Sequence, residues 1–192
     1  MEYLTLFVGT VIVNNFVLSR FLGLCIFFGV SKNLNASLSM GMAVTAVMTL
    51  TAIMSWFINM TVLEPYHLTF LITVVSVLLI AAFVQMLELI IKKSAPALYN
   101  IWGIYLLLIA TNCTVLSVTF LNLEANYNLG KSIVHAIGAG VGFGLALVLM
   151  ASLRERLRLA DVPKSLEGLG VAFILAGMLA LSFLGFSGML SA

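Results

Sequence analysis

A chain of 192 residues in which 62% are hydrophobic and only 8% charged is no ordinary soluble domain, where about 25% of residues carry charge. The net charge of +2 is too small to suggest a nucleic-acid partner, and two cysteines make no disulfide framework. With a mean hydropathy of +1.19 and apolar stretches of around 20 residues, each able to cross roughly 30 Å of hydrocarbon, the chain reads as an all-α polytopic protein embedded in a lipid bilayer.

The first apolar run extends from Leu4 to Val30. Glu2 stands where a signal peptide has a basic segment, and no small-residue cleavage site follows, so this run is expected to stay and span the membrane. Inside it lies Asn14-Asn15-Phe16-Val17-Leu18-Ser19-Arg20-Phe21-Leu22-Gly23-Leu24-Cys25. Two amides, a hydroxyl and a guanidinium at membrane depth are costly unless they face protein, water or a cofactor. The spans are predicted at 4–30 (interrupted), 36–59, 69–91, 98–121 (interrupted), 132–153 and 169–190. The second interruption is Thr111-Asn112-Cys113-Thr114. Short polar connections separate the spans, and no stretch has the composition of a soluble domain, so the chain is one membrane domain over residues 1–192 and any soluble chemistry belongs to partners.

Basic residues set the orientation. Loops after spans one, three and five hold Lys32, Lys92, Lys93, Arg154, Arg156, Arg158 and Lys164, whereas those after spans two and four hold only Lys131. The excess marks the cytoplasmic side and puts both termini outside. Three spans per half make the second half enter in the opposite sense. The interrupted spans one and four correspond, and their cysteines are separated by nearly half the chain. This is the pattern of two inverted three-helix repeats, about 1–95 and 96–192, with discontinuous helices meeting near the midplane.

Each break contains one of the two cysteines. A transmembrane cysteine is commonly a small apolar filler, but a half-helix that begins at a break presents free N–H groups and a positive dipole end to its first residues. If residues 14–23 unwind, Cys25 opens the second half-helix of span one, and Cys113 does the same in span four. A thiolate or an anionic metal–sulfur centre is well served there. Two thiolates are half of the usual four ligands of a zinc or [2Fe–2S] centre, so a metal centre demands a second chain. A site away from water suits electron transfer better than hydrolysis, which favours iron–sulfur. Around the cysteines, Asn14, Asn15, Thr111, Asn112 and Thr114 are expected to satisfy freed backbone or donate to sulfur, contacts that tune potential. Arg20 either snorkels to a headgroup layer or steadies the negative charge of the centre. On a straight helix it lies about 140° around the axis from Cys25.

Other polar positions have plainer readings. Glu88 sits four residues before Lys92, an order that favours an interfacial pair. His67 and His135 fall on the predicted outer side as interfacial polar groups, with haem ligation conceivable. Gly138, Gly140, Gly142 and Gly144 form two interleaved G-x-x-x-G patterns; no strand precedes them, so they announce close helix packing. Arg154-Glu155-Arg156-Leu157-Arg158 is a topology anchor, with docking of a soluble partner as the second reading.

Several of these motifs together resemble a known family. Asn14-Asn15-Phe16-Val17-Leu18, Phe21-Leu22-Gly23-Leu24-Cys25, Gly29-Val30-Ser31-Lys32, Thr111-Asn112-Cys113, and Arg154-Glu155-Arg156 through Ala160-Asp161-Val162-Pro163 are similar to the RnfA family of subunits of bacterial Rnf complexes. The homologous NqrE family of the sodium-pumping NADH:quinone reductases is a less close match, the paired asparagines favouring Rnf. The likeness runs through essentially the whole chain; Ile26 stands where the family usually has proline. The resemblance implies a [2Fe–2S] cluster shared with a sister subunit, RnfE, each giving two cysteines. It also implies flavin, iron–sulfur and NAD-binding partner subunits in the bacterial cytoplasmic membrane, passing electrons between ferredoxin and NAD with coupled Na⁺ or H⁺ movement. No catalytic residue is expected in this chain itself. Two alternatives from the residues alone are an inverted-repeat secondary transporter and a purely structural membrane subunit.

Overall fold

The computed structural model describes residues 2–63, 112–159 and 168–186, together with positions 74, 77, 78, 81, 82, 85, 86, 89, 93, 108 and 109. All regular structure among them is helical. Helix α1 (Glu2–Val8) runs into a π-helical turn, Gly9–Val13, and stops; an irregular segment over 14–23 leads into the short α2 (Leu24–Val30). Helix α3 (Leu34–Ile58) continues as a π-helical turn, Asn59–Leu63, and α4 (Cys113–Glu124), α5 (Leu129–Leu157) and α6 (Leu169–Leu184) follow. The helical stretches Leu34–Thr61 and Leu129–Leu157, 28 and 29 residues long, rise about 42 and 44 Å at 1.5 Å per residue, enough to cross a bilayer.

Several boundaries differ from the expected ones. Lys131, Arg154 and Arg156, assigned to loops, lie within α5, and Asn122 lies within α4, so the α4–α5 connection is only Ala125–Asn128. Positions 74–89 that are described are helical, as is Lys93, assigned to a loop. Glu64, His67, Glu88, Lys92, Thr111, Asp161 and Lys164 lie outside the described residues.

The central pair is α3 against α5, and glycine sets its closeness. A Cβ on Gly41 would come within 2.9 Å of the Gly144 Cα, and one on Gly140 within 2.7 Å of the Thr45 Cα. Gly138 and Gly142, on another face of α5, meet the first half of span one: a Cβ on Gly138 would lie 3.3 Å from Thr10 Cβ, and one on Gly142 3.1 Å from the Val11 carbonyl. The two interleaved patterns thus serve two different neighbours. In lipid such contacts stabilise by close packing rather than by leaving water. Fully buried Phe27, Phe143, Met48, Leu147 and Met150 fill the space between these helices. Helix α6 turns Ala172, Ala176 and Ala180 inward and leaves Phe173, Met178 and Leu181 exposed, as a lipid-facing helix does.

Polar contacts at the two ends fix relative direction. Lys131 at the start of α5 pairs with Glu2 at the start of α1, 3.0 Å apart. At the other end Arg154 Nη1 donates to the Phe28 carbonyl at 3.1 Å and to Ser31 Oγ at 2.9 Å, and Arg158 Nη2 donates to the Lys32 carbonyl at 3.2 Å. Ser37 Oγ donates to the Val30 carbonyl at 3.3 Å. Span one and α5 therefore run parallel. Arg154 and Arg158, expected first of all as part of a topology anchor, also satisfy carbonyls at and just beyond the end of α2, where helical carbonyls lack intrahelical partners.

Candidate functional site

The first break is built around Asn15, which is 1% exposed. Its Oδ1 accepts from the backbone N–H of Val17 (3.1 Å) and Leu18 (3.4 Å), while Nδ2 donates to the carbonyls of Gly142 (2.8 Å) and Val11 (3.3 Å). One side-chain amide has two donors and two acceptor sites, and all four are used. Asn15 thus replaces the hydrogen bonds that a continuous helix would have made and moors the break to α5. Phe16, Val17 and Leu18 are buried, so the irregular chain turns its apolar side chains inward. Two left-handed residues, Phe21 (φ 55°) and Gly23 (φ 76°), then redirect it into α2.

The second break is capped by its own residues. Asn112, 2% exposed, is the N-cap of α4, and its Oδ1 accepts from Thr114 N at 3.0 Å, the usual use of a side-chain amide at a helix start. Cys113 is the first residue of α4 and Cys25 the second of α2.

The breaks touch at Gly23. Its N–H donates to Cys113 Sγ at 3.0 Å. There is no room there for a side chain: a Cβ would overlap Thr114 Oγ1, lie 2.9 Å from the Phe143 ring and sit 3.1 Å from Asn112 Oδ1. Cys25 follows by two residues, so its Cα is within about 7 Å of the Gly23 Cα. Both sulfurs are free thiols and both residues are exposed. A packing filler would be buried; these cysteines stand at the surface of the chain.

Two donors on the residues flanking Cys113 are unused. Asn112 Nδ2 and Thr114 Oγ1 are buried without a hydrogen-bond partner among the described residues. Within a membrane such groups cost several kcal/mol each if left so. With the Gly23 N–H they form a donor set suited to an anionic sulfur-bound group. Among the described residues no group of three or more His, Cys, Asp or Glu could hold a metal ion. The residues present fit half of a metal–sulfur site.

Asn14 and Arg20 lie elsewhere. Both line a cavity of about 700 Å³ toward the Glu2 end, with Phe16, Tyr127, Lys131 and His135. The Arg20 guanidinium is 5.7 Å from the centre of the Phe16 ring. His135 is buried, its Nδ1 2.6 Å from Asn122 Oδ1, which is a structural tie between α4 and α5. Sequence reasoning missed Gly23, Gly142, Phe143 and Arg154 as parts of the assembly around the breaks. A glycine two residues before a cysteine at a break was visible, but its contact 90 residues away was not.

The profile of the family described as Rnf-Nqr subunit, membrane protein, matches residues 3–190. Over 190 residues the chain is 72% identical to the A-type subunit of the proton-translocating ferredoxin:NAD(+) oxidoreductase complex of Clostridium ljungdahlii, covering 99% of this chain and 98% of the relative. It is 51% identical to the A-type subunit of the ion-translocating oxidoreductase complex of Serratia proteamaculans, over 98% of this chain and 97% of that one. The protein of the same description in Syntrophotalea carbinolica is 52% identical, over 97% of this chain and 96% of the relative.

Proposed function

Because the chain belongs to the Rnf-Nqr family of membrane subunits, we propose that it is the A-type subunit of an ion-translocating ferredoxin:NAD oxidoreductase and holds half of an intramembrane [2Fe–2S] cluster. The other two cysteines come from the sister subunit RnfE. Flavin, iron–sulfur and NAD-binding subunits of the same complex perform the soluble redox steps, coupled to movement of Na⁺ or H⁺, and this chain contributes no catalytic residue of its own.

The observation that supports this reading best is the Gly23 N–H to Cys113 Sγ bond, which joins the two breaks beside two surface-exposed thiols. When bound, the cluster supplies a one-electron carrier within the bilayer. Cys25 and Cys113 present the ligating sulfurs. Gly23 N–H, with Asn112 Nδ2 and Thr114 Oγ1 beside it, stabilises negative charge at sulfur and so favours the reduced state. Asn15 holds the break open by replacing its lost hydrogen bonds, and buried Ile26, Phe27 and Phe143 keep water from the inner side. The test is co-expression: the chain purified alone should hold no iron, and the chain purified with RnfE should hold iron and acid-labile sulfide in equal amounts. Iron bound by the lone chain, or none in the pair, would contradict a shared centre.

The same reading has six spans in the bacterial cytoplasmic membrane, as two inverted three-helix repeats with spans one and four discontinuous and both termini outside. Parallel span one and α5, with Lys32, Arg154 and Arg158 at one end, support it under the positive-inside rule. A Glu155→Cys variant should be labelled by an impermeant thiol reagent only from the cytoplasm, and Glu124→Cys only from outside; both positions are exposed. Labelling of both from one side would overturn the layout.

A further inference from the structure

Asn14 and Arg20, the break residues that the sulfur site does not use, open into the cavity of about 700 Å³ near the Glu2 end. Among the described residues its lining contains two cations, Arg20 and Lys131, against one carboxylate, Glu2. That carboxylate is already paired with Lys131 in the one ion pair among the described residues, and the Arg20 guanidinium rests on Phe16 with no acidic partner among the described residues. An unmatched guanidinium in a membrane protein is costly, and the net positive lining disfavours a metal cation. The planar fork of arginine matches a phosphate oxyanion, taking it by two parallel N–H···O bonds. Outside the cavity lining, Leu4, Val8 and Ile12 of span one, which also supplies Glu2, Thr10 and Arg20 to that lining, lie exposed at four-residue intervals, an apolar track suited to an acyl chain.

We propose that this cavity is a phosphate-binding site, with Arg20 as its principal ligand and the head of an anionic phospholipid as the group that the apolar track favours. The site is independent of the iron centre. The test uses the whole purified complex, delipidated in detergent, and measures retention of labelled phosphatidylglycerol and, separately, of inorganic phosphate. Wild type should retain one or both; retention of phosphatidylglycerol alone identifies the lipid as the source, and retention of inorganic phosphate identifies the free ion. Arg20→Gln should weaken retention roughly tenfold, the loss expected for a charge-assisted pair, and Arg20→Lys should keep part of it. Glu2→Gln should act oppositely, strengthening retention about two- to threefold by freeing Lys131 from its surface pair. A gain of that kind cannot come from misfolding. Equal retention by all variants, or a loss in Arg20→Gln without the gain in Glu2→Gln, would overturn the site.

Discussion

Gly23→Ala should destabilise the folded chain by about 2–5 kcal/mol and displace Cys113 from its place at the break. Two costs combine. A residue with a Cβ at φ 76° adopts the left-handed region at roughly 1–2 kcal/mol, and overfilling a packed site adds about 1–3 kcal/mol. The added methyl has three neighbours to displace: Thr114 Oγ1, the Phe143 ring and Asn112 Oδ1. Thr114 and Asn112 are held in the first turn of α4 and Phe143 is fully buried, so none yields easily. Gly29→Ala, inside the short helix α2 that follows Gly23, is the control. Nothing lies within 4 Å of a Cβ there, and replacing glycine inside a helix by alanine should be neutral or stabilising by about 0.5–1 kcal/mol. Denaturation midpoints of the two variants in the purified complex check the difference. Equal midpoints would mean that the contact between the breaks is loose.

What the sequence revealed, and what it hid, follows from the range of each interaction. The break at 14–23 was legible because Asn14, Asn15, Ser19 and Arg20 are too polar for the hydrocarbon that surrounds them. The position of Cys25 and Cys113 at the starts of half-helices followed from the same local pattern. Glycines at four-residue spacing announced close packing of α5, although not that one pair faces α3 and the other faces span one. Long-range pairings were hidden. Asn15 satisfies its amide on Gly142, 127 residues away, and Arg154 reaches the carbonyl of Phe28 across 126; neither leaves a local signature.

Arg20 illustrates a different limit. An angle about a straight helix places it away from Cys25, but residues 14–23 are not a helix, so that rotation has no meaning here. The backbone turns at Phe21 and Gly23 before α2 begins; the guanidinium contacts Phe16 and lines the cavity toward the Glu2 end. Helix boundaries erred for a related reason. Arg154 and Arg156 read as loop residues because they are charged, yet both continue α5 past its apolar part, and the long side chain of Arg154 reaches back to cap α2.

Loss of either cysteine should have the largest effect. A ligand of a shared centre cannot be replaced by an apolar group, so Cys25→Ala and Cys113→Ala should each remove the whole cluster rather than part of it. Metal binding split between two chains also contributes assembly energy, and both variants should hold RnfE less firmly. A filler cysteine behaves otherwise: its truncation costs on the order of 1 kcal/mol and leaves activity largely intact. The exposure of both residues makes even that packing penalty small, so the two readings differ in kind.

The decisive measurement is the iron and acid-labile sulfide content of the purified complex bearing Cys113→Ala, taken with its electron paramagnetic resonance spectrum after reduction. If Cys113 is a ligand, the variant lacks the iron of one [2Fe–2S] centre relative to wild type, loses that centre's signal and no longer passes electrons from ferredoxin to NAD. A Cys113→Ala complex that keeps its full iron content, its signal and its turnover would contradict the assignment of Cys25 and Cys113 as cluster ligands.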